Sequence, residues 1–232
     1  MRILAFILLN LVINRGLANV EIVLAAEDSW PPFSLSDGTG ISQQYIDRAY
    51  QKMGVSVKFV VVPYARALHM TQIGEVDGAF NVTKQASTKK LFNFGKEPLL
   101  QASASFYYPP DKDLHLDSIT DAPDGLIIAL IIGYEYGEQY EQSRSRLKEI
   151  RVSNQRQIIS LLLKNRVDVA IMFDDVANFY LQQMHLANNA IEKGKINHTS
   201  DIYVAFNKDK PQLQHFIDQL DAGLRIIKAE QH

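Results

Sequence analysis

Three short stretches of the 232-residue chain hold the side chains best placed to grip a small molecule. "EDSWPPF" supplies Glu27, Trp30 and Phe33. Trp30 stands before two prolines, where an aromatic ring either caps a core or covers the apolar part of a ligand. "PYARAL" supplies Tyr64 and Arg66 at a helix start. A cation there opposes the helix dipole, and a ligand anion or an internal carboxylate such as Glu27 would compensate it. "GYEYG" supplies Gly133, Tyr134 and Tyr136. It reads either as a turn between glycines or as a helix start whose N–H groups suit a polar or anionic group. Asn81 and Thr83 in "AFNVT", with Phe173 and Asp174 in "MFDD", also stand at strand ends. No nucleophile, base and orienting group share a recognisable spacing, so the chemistry points to recognition without bond-making. The six histidines are dispersed and cysteine is absent, so neither a metal nor another cofactor is expected.

The elements that must carry these residues follow from composition and periodicity. With 47% hydrophobic and 22% charged residues, the chain suits one large or two small globular domains. A net charge of −2 with scattered basic residues excludes the footprint of a nucleic-acid binder. "MRILAFILLNLVINRGLA" reads as a cleavable export signal over residues 1–18: a basic start, an apolar run from Ile3 to Ile13 too short for the ~20 residues of a membrane span, and small residues Gly16 and Ala18. The mature chain is expected to be free in the periplasm and monomeric.

From residue 20 the pattern predicts strand, helix (41–54), strand, helix (64–75) and strand (76–82), the signature of a parallel sheet. A strand over 99–110 ends in two prolines. The pattern then restarts with a strand at 125–133, a polar helix at 138–148, a short strand, an amphipathic helix at 154–165 and a strand at 166–173. A strand at 201–208 and a helix at 211–228 close the chain. "EVDGAFNVT" and "RVDVAIMFD" repeat one phrase about 90 residues apart, a spacing that suits two copies of an α/β lobe rather than a solenoid. Asp77 and Asp168 of that phrase precede their strands, on the far side from the strand ends, and read as turn or capping residues.

The phrases "WPPF", "PYARAL", "GEVDGAF", "FNFGKEPLL", "GYEYG", "LLLKNRVDVAI" and "YVAFNKD", in this order, resemble the periplasmic solute-binding proteins of extracellular family 3, the polar amino-acid type, along essentially the whole mature length. The resemblance implies a two-lobed α/β fold of the type II periplasmic-binding-protein kind, each lobe a mostly parallel sheet flanked by helices. Lobe 1 would comprise 19–105 with 203–232, and lobe 2 would comprise 106–202. Ligands of open α/β sheets sit beyond the carboxyl ends of the strands, so both lobes would line one cleft. The implied function is capture of a small polar or amino-acid-like solute for an ABC transporter. A sensing protein that reports ligand to a membrane receptor is the alternative. A fold-related dehydratase-like enzyme, with Glu27 and Asp174 as its acids, is a third reading.

The sequence departs from the family at both standard amino-acid anchors. The arginine whose planar fork grips the α-carboxylate falls on Thr88, with Lys89 and Lys90 unable to reproduce its geometry. The aspartate that meets the ammonium falls on Phe173, and its neighbour Asp174 points to the same side only if the strand has ended. The departure implies either a ligand other than a free α-amino acid, with an anion at Arg66 and a ring or chain between Trp30 and Phe173, or a protein that has left transport for signalling.

Overall fold

The computed structural model of the protein describes residues 21–230. The export signal expected at 1–18 lies outside them. In chain order the elements are β1 (Glu21–Glu27), β2 (Ser29–Trp30), β3 (Ser34–Leu35), α1 (Ile41–Gln51), β4 (Ser56–Val62), α2 (Tyr64–Gln72), β5 (Gly78–Thr83), α3 (Ala86–Leu91), β6 (Phe92–Phe94) and β7 (Leu100–Tyr108). There follow β8 (Ile127–Ile131), α4 (Glu138–Ser143), β9 (Lys148–Val152), α5 (Gln155–Leu163), β10 (Val169–Phe173), α6 (Asp174–Gln183), β11 (Glu192–Asn207) and α7 (Gln214–Ala229).

Nine strands form one mixed sheet in the order β4-β1-β5-β11-β7-β10-β8-β9, with β6 also paired to β11. Each half has a parallel core: β1 lies between β4 and β5, and β8 lies between β9 and β10. β8 and β10 are buried on both faces, which is why "GLIIALIIG" and "VDVAIMF" read as apolar runs without alternation. Within the sheet the halves are joined by the antiparallel pair β7–β11, whose ladder runs from Leu100–Ile202 to Tyr108–Glu192. In the first half Ile22, Leu24 and Phe80 are buried against Ile46 of α1 and Leu220 and Leu224 of α7. Gly223 lets those helices touch, because a Cβ there would lie 2.1 Å from the Ala49 carbonyl oxygen.

The repeated phrase has a physical meaning. Asp77 accepts the Val23 N–H at 3.0 Å and pairs with Lys210, while Asp168 accepts the Ile127 N–H at 2.8 Å and pairs with Lys112. In each half the aspartate joins the start of its own strand to the start of the neighbouring one. This is a bridge between strands rather than a turn cap.

Several element boundaries differ from expectation. The helix expected over 138–148 ends at Ser143 and passes through a 3₁₀ turn into β9. Arg144 and Arg146 leave the helical path because they bond Glu149 and the Thr120 and Ala122 carbonyls. β11 begins at Glu192, not residue 201, since "EKGKINHTS" has no apolar alternation and becomes a strand through its ladder with β7. α6 directly follows β10, burying Val176, Ala177, Tyr180 and Leu181 on one face, a helix that the sequence reading passed over. "SWPPFSL" forms the β2–β3 hairpin within the expected loop.

Candidate functional site

The carboxyl ends of β1 and β5, the start of α2, the loop after β8 and the end of β10 converge on one closed cleft of about 10 Å³, too small for more than a single water. Its walls are Glu27, Trp30, Tyr64, Asn81, Thr83, Tyr134, Glu135 and Phe173. Seven of these eight are residues that the sequence singled out; Glu135 is the eighth. It stands in the middle of "GYEYG", between the two tyrosines named from the sequence.

Side chains of the two halves bond one another across the cleft. The Tyr134 hydroxyl donates a hydrogen bond to Glu27. Tyr64 and Thr83 donate to one Glu135 oxygen at 2.8 and 3.0 Å. Trp30 stacks between Phe33 of the same half, 4.5 Å between centroids, and Phe173 of the other, 5.1 Å and edge-on. Tyr64 meets Tyr134 edge-on at 5.0 Å. Gly133 makes the approach possible: with φ +86° it brings the loop within 3.0 Å of the Ala65 Cβ, measured from where its own Cβ would stand.

The site is acidic and has no resident counter-charge. No Lys, Arg or His lines it. Burial pushes the Glu27 carboxyl up to about 8, opposed by the Tyr134 hydrogen bond and reinforced by the nearby charges of Asp28 and Glu135. Burial likewise raises Glu135 to about 7 against the hydrogen bonds from Tyr64 and Thr83. Both tyrosine hydroxyls are driven well above their ordinary value, by burial first and then by the adjacent carboxylates, so they stay protonated and able to donate.

Asn81 is held out of the regular strand. Its φ is +66°, rare outside glycine, at the bulge where β11 steps from Val82 to Phe80 as partner. The side chain is 5% exposed and lines the cleft, yet neither amide atom has a hydrogen-bond partner among the described residues. Trp30, 1% exposed, likewise carries an unpartnered Nε1. Strained backbone and orphaned buried polar atoms concentrate where ligands bind.

The remaining sequence candidates sit elsewhere. Arg66 is exposed and outside the cleft walls, and its side chain makes no hydrogen bond or ion pair among the described residues. In the first turn of α2 the buried face is taken by Tyr64 and Ala67, one turn apart, and Arg66 falls outside it. Thr88 is buried, but its hydroxyl is spent on the Thr83 carbonyl and the N-terminal box of α3 with Gln85. Asp174 opens α6, where it accepts from the Tyr107 hydroxyl at 2.9 Å and pairs with Lys193 at 2.8 Å, so it is not a second acid beside Glu27. Tyr136 faces away from the cleft, its hydroxyl accepting the Ile131 N–H at 2.7 Å. The "GYEYG" loop therefore works through side chains of its middle rather than through helix N–H groups.

The fold agrees with known proteins. An ancestral arginine-binding protein bound to arginine shares the fold with a TM-score of 0.75 at 18% identity, covering 91% of this chain and 93% of that one. An amino acid ABC transporter substrate-binding protein from Streptococcus pneumoniae bound to L-arginine gives 0.73 at 18% identity, over 91% and 90%. An ancestral amino acid-binding protein, a precursor of cyclohexadienyl dehydratase, gives 0.73 at 17% identity, over 91% of each. These neighbours establish a two-lobed binding-protein fold. A search of the curated proteins finds no match. The family model of the bacterial extracellular solute-binding proteins, family 3, matches residues 22–232. Over nearly its whole length the chain carries that family's sequence pattern on that family's fold, and it belongs to the bacterial extracellular solute-binding proteins of family 3.

Proposed function

We propose that this protein captures a small polar solute between two lobes, 19–105 with 203–232 and 106–202, and delivers it to an ABC transporter from the periplasm after loss of the signal at 1–18. The observation that carries this reading is the meeting of Glu27, Tyr64 and Thr83 from one half with Tyr134 and Glu135 from the other at a single buried point. Separating the halves about β7–β11 exposes all five polar groups and the Trp30 and Phe173 rings together. A solute bound among them is enclosed on reclosure. The test is a thermal-shift screen of polar metabolites followed by calorimetry. A true ligand at a hundred times its dissociation constant stabilises the protein by about 2.7 kcal/mol. If no solute in a broad panel shifts melting, while a purified partner protein does, the clamp reading fails and an interaction module replaces it.

A further inference from the structure

We propose that the solute of this cleft is a small organic cation, an ammonium or guanidinium whose other polar atoms are neutral, and not an α-amino acid. The proposal deepens the solute-binding reading and rests on it. Both ionisable walls, Glu27 and Glu135, are acids, and the further charges acting on them, Asp28 on Glu27 and Glu141 on Glu135, are acids as well. The candidate cation Arg66 lies outside the walls, and Lys89 and Lys90 are exposed on α3. A carboxylate in this cleft would face two acids and find no cation.

A cation finds the opposite. Its N–H groups can take the free lone pairs of Glu27 and Glu135, which the tyrosine and threonine hydroxyls only partly satisfy. Four rings, Trp30, Tyr64, Tyr134 and Phe173, offer π faces and an apolar sleeve. The second, independent indication comes from the orphaned buried atoms. Trp30 Nε1 can only donate, and Asn81 both donates and accepts, so the end away from the charge should carry a neutral acceptor such as a hydroxyl or amide. Entry requires Tyr134 to leave Glu27. Its loop is bracketed by Gly133 and Gly137, at φ +86° and +88°, a backbone that can swing without moving β8.

The experiment uses matched pairs that differ by one carboxylate: agmatine against arginine, tyramine against tyrosine and ethanolamine against serine. Each is titrated calorimetrically into the mature protein at several pH values, alongside neutral sugars and dicarboxylates. The expected result is that at least one amine binds ten or more times tighter than its parent amino acid. Its affinity should rise between pH 6 and 8 as the carboxylates it meets are freed of protons, and should fall at least tenfold in both Glu27→Gln and Glu135→Gln. Circular dichroism verifies that each variant folds. If an amino acid equals or exceeds its amine, or if only a dicarboxylate or sugar binds, the cation proposal is overturned while solute binding stands. If no compound in any arm binds, both readings fall.

Discussion

Glu27 is the residue on which the behaviour of the cleft turns. Its carboxyl is raised from 4.5 to about 8 by burial, so the closed form holds a proton that an opened or unfolded chain releases. A group raised in the folded state stabilises it below its ordinary value and loses that contribution as pH rises through the raised one. The groups facing it are Tyr134, Tyr64, Asp28, Glu135 and, from α6, Tyr180; none brings a positive charge. His198, whose ring packs on Phe173, is pushed down to about 4 by burial and stays neutral over this range. Ligand-free stability should therefore fall between pH 4.5 and about 8, and Glu27→Gln should flatten the decline. Melting curves across that range check it, and an unchanged slope in the variant would place the titration elsewhere. Arg66→Ala should change stability and solute affinity by less than about 0.5 kcal/mol, since the side chain is exposed and unpaired. Calorimetry beside the parent protein decides this, and a large loss of affinity would bring Arg66 back into the site.

At the scale of elements, the two aspartate bridges and the Gly133 contact do separate jobs. Asp77→Ala and Asp168→Ala each strand a backbone N–H and a lysine, and each should cost about 1–3 kcal/mol. Urea midpoints measure the loss, with solute affinity expected to stay put because both bridges lie at strand starts, away from the cleft. Gly133→Ala should instead hold the halves apart, by adding a Cβ about 3.0 Å from that of Ala65 and straining a φ of +86°. A larger radius of gyration in small-angle scattering is the expected signature, and Ala65→Gly should restore part of the closure by removing the steric half of the problem. An unchanged radius in Gly133→Ala would show that the loop gives way and the halves do not.

Much of this arrangement was legible in the sequence because periodicity and strand-end position are local. The alternating strands and helices of both halves announced the parallel cores, and residues just past strand ends supplied seven of the eight cleft walls. What was illegible depends on distant partners. The long start of β11 is a strand only because β7 lies beside it. Arg66 was placed in the cleft by its nearness in sequence to Tyr64, and a shift of two residues on a helix turns a side chain by about 200°. Glu135 matters because Tyr64 and Thr83, 71 and 52 residues away, aim at it, and nothing in "GYEYG" says so.

For the whole molecule, the loss of both standard amino-acid anchors predicts weak binding of the twenty standard amino acids. None should bind below ~10 μM, about −7 kcal/mol, and calorimetry that finds one tighter overturns the prediction. The fold follows the family, and separating scaffold from site lets recognition chemistry change while the fold is kept.

The tyrosine–carboxylate bonds across the cleft also bear on how the proposed membrane partner would read this protein. A clamp whose own side chains fasten it shut presents the same outline whether loaded or empty, so outline is an ambiguous message. If closed and open empty forms differ by only ~1.4 kcal/mol in favour of opening, roughly one empty molecule in eleven carries the loaded shape. A receiver listening for shape alone would answer false alarms at that rate, and acidifying the medium, by keeping Glu27 and Glu135 protonated, would raise it.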